Sequence, residues 1–310
     1  MSRRVLRAVG TLLVIATAVF IVMRVIPGDP ALVQLGDYAT PELVLAVESD
    51  LGLDRPLAEQ YVDFMTRLVR GDAGFSFRSH RPVSTLLTSS GYHTLILAVA
   101  SFTFAIVFGV AGGLVAARFR NTIVDRAIGA VSTLALSAPT FWTGLLLIYV
   151  FSLQLGWLPV AGGGSLSDPI DLLQHLALPM VAIGAREAGI IARVVRNAME
   201  GVMRMDFVMT AVAKGIGRTR VLNNHVLRNA LLPVVSMASV RFITLLSGIF
   251  VVEIVFARPG LGSLLVDAIQ NRDYPVVQGV VLVIGVFVIL INFIGDAIYR
   301  VADPRVRARA

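Results

Sequence analysis

The sequence predicts an all-α membrane protein of six transmembrane helices, with a small extracytoplasmic region after the first helix and a polar insert on the cytoplasmic side. Three observations lead there. Of 310 residues, 56% are hydrophobic and 15% charged, and the mean hydropathy is +0.79, a balance that soluble domains do not show. Six apolar stretches are long enough, or nearly so, for a hydrocarbon layer of about 30 Å, which takes about 20 helical residues to cross. Basic residues gather in alternate connections. Helix follows from lipid as a solvent, because every backbone N–H and C=O must be satisfied inside the segment itself.

The spans fall at about 5–26, 94–117, 127–153, 176–195, 234–255 and 277–299. Arg3 and Arg4 precede the first, and Arg7 lies in its first turn. Arg118, Arg120 and Arg126 fill the second connection, and Arg193, Arg196, Arg204, Lys214, Arg218, Arg220 and Arg228 fill or border the fourth. Arg300, Arg305, Arg307 and Arg309 close the chain, whereas the third connection, 154–175, has no Lys or Arg. Both termini and the fourth connection are therefore expected in the cytoplasm. The net charge of +7 is mostly this topological signal. No basic run is interleaved with stacking aromatics, so nucleic-acid binding is not implied. The first span has the basic start of a secretory signal and an Ala16-Thr17-Ala18 triplet, but apolar character runs on past it to Ile26, as in a retained helix.

The most informative stretch is 206–233, polar, basic and helix-breaking between two long apolar runs. Asp206 is placed to cap a short helix that Gly215 stops. A second helix is expected from Thr219 to Leu232, before Pro233 returns the chain to the membrane. Two short helices at an angle make a foot. In the first outer connection, 27–92, Thr40 and Pro41 fit the cap and first position of a helix, and another is expected from Pro56 to Val69, ended by Gly71. No internal repeat or low-complexity tract is present.

Charges inside spans cost about 2.5–3.5 kcal/mol each at a helix centre and usually face a cavity or a partner. Arg24 stands near the end of its span, where it can snorkel. Glu253 suits a gate or an interhelix hydrogen bond. Arg186 and Glu187 are adjacent, so their side chains diverge by about 100° around the helix, and Arg241 lies about two turns into span five. These three are expected to line a hydrated path or a contact with a second membrane subunit, or else to pair structurally with a neighbouring helix.

Cysteine is absent, which excludes disulfides and thiolate metal sites on this chain. His80, His93, His175 and His225 lack ligand spacing, so no metal site is expected. No Gly-x4-Gly-Lys-Ser/Thr loop is present to cradle phosphates, and neither a His-Glu-x2-His nor a Gly-x-Ser-x-Gly motif appears. No catalytic or cofactor site is expected, and an intramembrane hydrolase has little support.

The chain resembles the membrane-spanning permease of a peptide-type ABC importer, in the dipeptide/oligopeptide/nickel permease family, and within it the first permease subunit. The resemblance covers nearly the whole length. It rests on Pro27-Gly28-Asp29-Pro30, on 51–56 with Gln60-Tyr61, on 71–76 with Arg81-Pro82-Val83, on Ser137-Ala138-Pro139-Thr140-Phe141 and on Gly156-Trp157-Leu158-Pro159. It continues in 211–215, in Leu227-Arg228-Asn229-Ala230-Leu231-Leu232-Pro233, in Glu253 with Val255-Phe256, in Pro259-Gly260-Leu261-Gly262, in 272–279 and in Asp303-Pro304-Arg305. Each block is weak alone; their order and spacing are specific.

The resemblance implies a type I ABC importer fold, divided into a first helix with its extracytoplasmic region (1–92), a five-helix core (93–303) and a tail (304–310). It implies a non-catalytic subunit in the bacterial inner membrane that forms half of a peptide pathway. The implied partners are a second, homologous permease in a heterodimer, two cytoplasmic ATPases that bind ATP and Mg, and an extracytoplasmic solute-binding protein. The segment at about 206–216 becomes a coupling helix seated on an ATPase through Phe207, Met209, Thr210, Ala211, Ala213, Lys214 and Gly215. Val212 departs from the family, which often has Arg there. Arg186, Glu187 and Arg241 also depart from the small or apolar residues of the family; with Glu253 they are candidates for the path or its gate. Pro259, Gly260, Asn271, Arg272 and Asp273 are candidates for touching the binding protein. Nickel, glutathione or oligosaccharide cargo fits the same class, and an ion-coupled secondary transporter using the intramembrane charges is the alternative outside it.

Overall fold

Long helices account for most of the computed structural model, which describes residues 2–25, 32, 35, 39–50, 52–214, 227 and 231–302. In chain order they are α1 (Ser2–Val25), α2 (Pro41–Asp50), α3 (Leu57–Val69), α4 (Val83–Arg118), α5 (Ile123–Ser137), α6 (Thr140–Leu147), a π-helix (Ile148–Gln154), α7 (Pro169–Met203), α8 (Asp206–Ala213), α9 (Leu232–Val255), α10 (Leu261–Gln270) and α11 (Tyr274–Ala302). The expected second helix of the foot, 219–232, lies almost wholly outside the described residues.

Among the described residues, four helices are long and apolar enough to cross a membrane: Val5–Val25, Val83–Arg118, Pro233–Val255 and Tyr274–Gly295. The expected fourth span, 176–195, lies on α7, whose 35 residues reach about 52 Å at 1.5 Å each. Its length suffices, and Arg186, Glu187 and Arg193 set its composition apart.

The expected third span, 127–153, is not one continuous helix. Residues Ile123–Ser137 and Thr140–Gln154 are bent by 108° and make a fifth crossing only if taken as one broken span. The cause is Pro139, whose ring pushes the preceding residue out of helical geometry: Ala138 sits at φ −80°, ψ 129° and Pro139 at φ −60°, ψ 140°. The second span also departs from expectation, because α4 starts at Val83 and the outer connection ends at 82 instead of 92. Its polar first turns read as loop in the sequence, yet Thr88 and Ser89 fold their hydroxyls back onto carbonyls of the preceding turn (3.0–3.1 Å), which hides them within a helix.

The chain divides into two units, Met1–His93 with Pro259–Ile289, and Thr94–Arg258 with Leu290–Ala310. In the first, α1 meets α3 through Phe20, whose ring lies 5.2 Å from Tyr61 and 5.6 Å from Phe64. Arg24 lays its guanidinium 4.1 Å over the Phe20 ring and donates twice to Gln60 Oε1. The cation thus keeps its stem on the apolar helix and its head on a polar partner, as snorkelling requires. The α2 helix starts where Thr40 and Pro41 predict, with Thr40 Oγ1 accepting from Leu43 N–H at 3.4 Å.

The second unit has two apolar cores. One gathers Leu97, Ala98, Ile148, Leu178, Ile183, Leu245, Ile249, Val252 and Phe256 from α4, the π-helix, α7 and α9. The other joins Ala105, Ala117, Ile191, Val195, Met199, Val202, Val208 and Val234. Between α4 and α7 the approach is as close as helices allow. A Cβ on Gly109 would stand 2.7 Å from Ile191 and one on Gly113 2.6 Å from the Ala192 carbonyl. The Gly109-x3-Gly113 spacing puts both glycines on one face, the small-residue arrangement by which membrane helices bring backbones together. Gly113→Val is therefore expected to lower stability by about 3 kcal/mol, the upper range for overpacking, because a backbone carbonyl cannot move aside. A Tm in detergent equal to that of the wild type would refute this packing.

Candidate functional site

The foot begins where α7 ends. After Arg204 and Met205 the chain turns into α8, with the Met205 carbonyl receiving the N–H groups of Val208 (3.0 Å) and Met209 (3.3 Å). Asp206 therefore sits in the first turn, not at the cap, and its carboxylate faces the positive end of the helix. Val208 is buried among Val202, Met199, Val195 and Val234, which seats the helix on the membrane unit. On the other side Met209 is 63% exposed, and Thr210, Ala213 and Lys214 are exposed as well. The side chains of Phe207 and Ala211, and Gly215, lie outside the described residues. The exposed surface offers one flexible apolar side chain beside small residues, the composition that admits close approach by a partner.

Beneath the foot is an ionic brace that sequence reasoning passed over. Arg196 holds Asp125 through two hydrogen bonds, 2.6 and 2.8 Å, in the fork geometry arginine favours. Asp125 also accepts from Asn121 N–H at 3.0 Å. These donors hold its carboxyl down to about 2, against a smaller opposing effect of burial, and raise the Arg196 guanidinium in return. One turn on, Glu200 receives Arg120 at 2.6 Å and Arg204 at 2.7 Å, with Arg196 at 3.8 Å. The brace thus ties the last turns of α7 to the α4–α5 connection. The signal available in the sequence was Arg196-x3-Glu200-x3-Arg204, an i, i+4, i+8 ladder on one helix face.

Of the intramembrane charges, the structure brings Glu187 and Arg241 together and leaves Arg186 out. Glu187 is 3% exposed, with Arg241 Nη1 3.9 Å from its Oε2; Arg186 is exposed. Neither Glu187 Oε2 nor Arg241 Nε has a hydrogen-bond partner among the described residues. A pair at this distance with unused polar atoms is attracted but not locked. Glu253 is fully buried and accepts from Thr94 Oγ1 at 2.6 Å, an interhelix hydrogen bond between α9 and α4. Just beyond α9, Arg258 is 1% exposed and donates to the Gly163 carbonyl at 3.1 Å. Burial pushes its guanidinium below the ordinary value, partly offset by Glu253.

The five residues considered for binding-protein contact divide. Pro259 and Arg272 are exposed, Asn271 is half-buried and Gly260 is buried. Asn271 donates to Asp267 on its own helix. Gly260 N–H donates to Ser263 Oγ at the start of α10. Asp273 is 3% exposed, and its carboxylate accepts from Ser76 Oγ and from the N–H groups of Phe77 and Arg78. It holds the 76–79 turn, so its role is internal to the loop that carries the exposed Pro259 and Arg272.

The profile described as "Binding-protein-dependent transport system inner membrane component" matches residues 109–308, and its N-terminal companion matches 1–98. The glutathione transport system permease protein GsiC of Escherichia coli (strain K12) is 40% identical over 305 residues, covering 98% of this chain and 97% of that protein. GsiC of Salmonella choleraesuis (strain SC-B67) is 41% identical with the same coverage. Among solved structures, an inward-facing MetNI methionine ABC transporter aligns at TM-score 0.58 and 22% identity, covering 70% of this chain and 96% of that one. An amino acid ABC transporter aligns at 0.53 and 15%, covering 70% and 94%. These structures share the fold.

Proposed function

The chain belongs to the family of binding-protein-dependent transport system inner membrane components and is a non-catalytic permease subunit of an ABC importer, and we propose that it imports short peptides, driven through the exposed face of α8. ATPase subunits and a solute-binding protein are its partners as a class. The permease is multi-pass and membrane-embedded; the family description supports an inner-membrane placement, and the arginine distribution supports cytoplasmic termini.

The observation that carries the coupling role is a helix seated by Val208, following directly on the braced end of α7, while Met209, Thr210, Ala213 and Lys214 stay exposed. A lever needs that combination of stiff root and open face. ATP and Mg bind on the ATPases, and this chain carries no cofactor. Closure of the ATPases brings two feet together, one from this chain and one from a related permease across a pseudo-two-fold axis. Arg241, with 31% of its side chain exposed, faces the path and counters a charged end of a peptide, with Glu187 buried behind it, and Glu253 belongs to its outer gate. Pro259, Gly260, Asn271, Arg272 and Asp273 mark the loop on which the binding protein docks. The high identity to a glutathione permease supports a short peptide cargo, with glutathione itself as the first candidate.

The test is uptake by the assembled transporter in proteoliposomes, with glutathione and dipeptides offered in competition. ATP-dependent accumulation of one of these is expected, with Arg241→Met altering the ratio between cargoes. Transport by this chain alone in a proton or sodium gradient would replace this reading with a secondary carrier.

A further inference from the structure

A groove of about 410 Å³ opens in the second unit between α5 and α7, its lining including the charged Arg126, Arg193, Arg196 and Asp125 beside the apolar Ala116, Ile128, Gly129 and Ala192. We propose that it seats the phosphate headgroup of an anionic phospholipid. The argument begins with charge. Three guanidiniums face one carboxylate, and that carboxylate is already taken by Arg196 at 2.6 and 2.8 Å. The groove therefore presents two uncompensated cations, Arg126 and Arg193. Arg193 uses one nitrogen on Thr133 Oγ1 at 2.6 Å, which fixes its guanidinium and leaves the other nitrogens free among the described residues. Arg126 is exposed, and its guanidinium has no hydrogen bond or ion pair among them. Arginine's planar fork matches phosphate oxygens two at a time.

Position supplies the rest. Arg126 immediately precedes the third apolar stretch, which starts at 127, and Arg193 stands two residues before the end of the fourth, at 195. Both guanidiniums thus occupy the level of lipid headgroups, where basic pockets between membrane helices collect anionic lipid. Farther along α5 Val131 and Leu134 remain 66% and 70% exposed, a surface suited to the lipid's acyl portion. Gly129 keeps the groove open: a Cβ there would meet nothing within 4 Å.

Native mass spectrometry of the full-length chain in mild detergent, with phosphatidylglycerol and phosphatidylcholine of matched acyl chains, tests this. The wild type is expected to retain phosphatidylglycerol preferentially. The variant Arg126→Gln/Arg193→Gln should lower that retention about 30-fold for two lost arginine contacts, while Arg126→Lys/Arg193→Lys keeps most of it. Gly129→Leu projects into the groove from a position where an added Cβ meets nothing within 4 Å, so it should lose the lipid at unchanged Tm even if the glutamine variant misfolds. Equal retention of the two lipids by the wild type overturns the proposal. Undiminished phosphatidylglycerol on Gly129→Leu does so too. Displacement by excess inorganic phosphate would assign the groove to the free ion instead and equally overturn the lipid.

Discussion

The double substitution Met209→Asp/Ala213→Arg is expected to strip the ATPase subunits from the purified transporter and reduce ATP-driven uptake to background. Both side chains are exposed on α8, so the changes leave its seat, Val208 in the valine and methionine cluster, untouched. An apolar anchor at the centre of a protein interface is worth about 2 kcal/mol or more, or about 30-fold in affinity. Placing a desolvated charge there adds a penalty for burying it unpaired. The membrane unit should remain inserted with an unchanged Tm, which separates lost docking from lost folding. Co-purification of the full ATPase complement with normal uptake would remove α8 from the coupling role.

Arg196→Met is the second large effect, and it acts through the root of the lever. The substitution strands Asp125, a carboxylate 7% exposed whose two strongest hydrogen bonds come from Arg196. Breaking a buried pair from one side costs about 3–5 kcal/mol. Arg196 is itself 31% exposed, which places the loss near 3 kcal/mol. Asp125→Asn/Arg196→Gln removes both charges and should recover part of it. The pair also sets an acid limit. The Asp125 carboxyl is depressed from 3.8 to about 2 in the folded chain, so its contribution is complete above about pH 4 and disappears as pH falls through 2. The Tm difference between wild type and the double variant should shrink across that window and stay constant above it. A Tm unaffected by Arg196→Met at neutral pH would show that the brace carries no load.

Much of this was legible in the chain because lipid and backbone chemistry leave few options. Apolar runs of about 20 residues must be helices, which located the first, fifth and sixth expected spans to within a few residues, and the second at its end but not at the start of α4. There Thr88 and Ser89 hide their hydroxyls inside the helix, and hydropathy counts a hydroxyl the same whether it is satisfied or not. Pro139 was visible within the motif Ser137-Ala138-Pro139-Thr140-Phe141, but its 108° consequence was not, because a proline in an apolar run is compatible with either a mild kink or a full break. The foot was legible as a polar interruption with Asp206 at its head. The side of α8 that faces inward was not, since Val208 and Met209 are adjacent and similar in hydropathy, and only contact with Val202 and Val234 distinguishes them.

By itself, then, the sequence determined an all-helical membrane permease of the ABC importer class, with a short polar-flanked helix between its fourth and fifth spans. Those features depend on solvent partition and on motifs whose residues are close in the chain. The tertiary structure decided the pairings: Asp125 with Arg196 across 71 positions, Glu187 with Arg241 while the adjacent Arg186 points away, and Asp273 turned inward onto Ser76. Charge attraction reaches only a few ångströms with useful strength once geometry and desolvation are counted. Which opposite charges meet is settled by how helices pack, and the close approach at Gly109 and Gly113 sets that packing between α4 and α7.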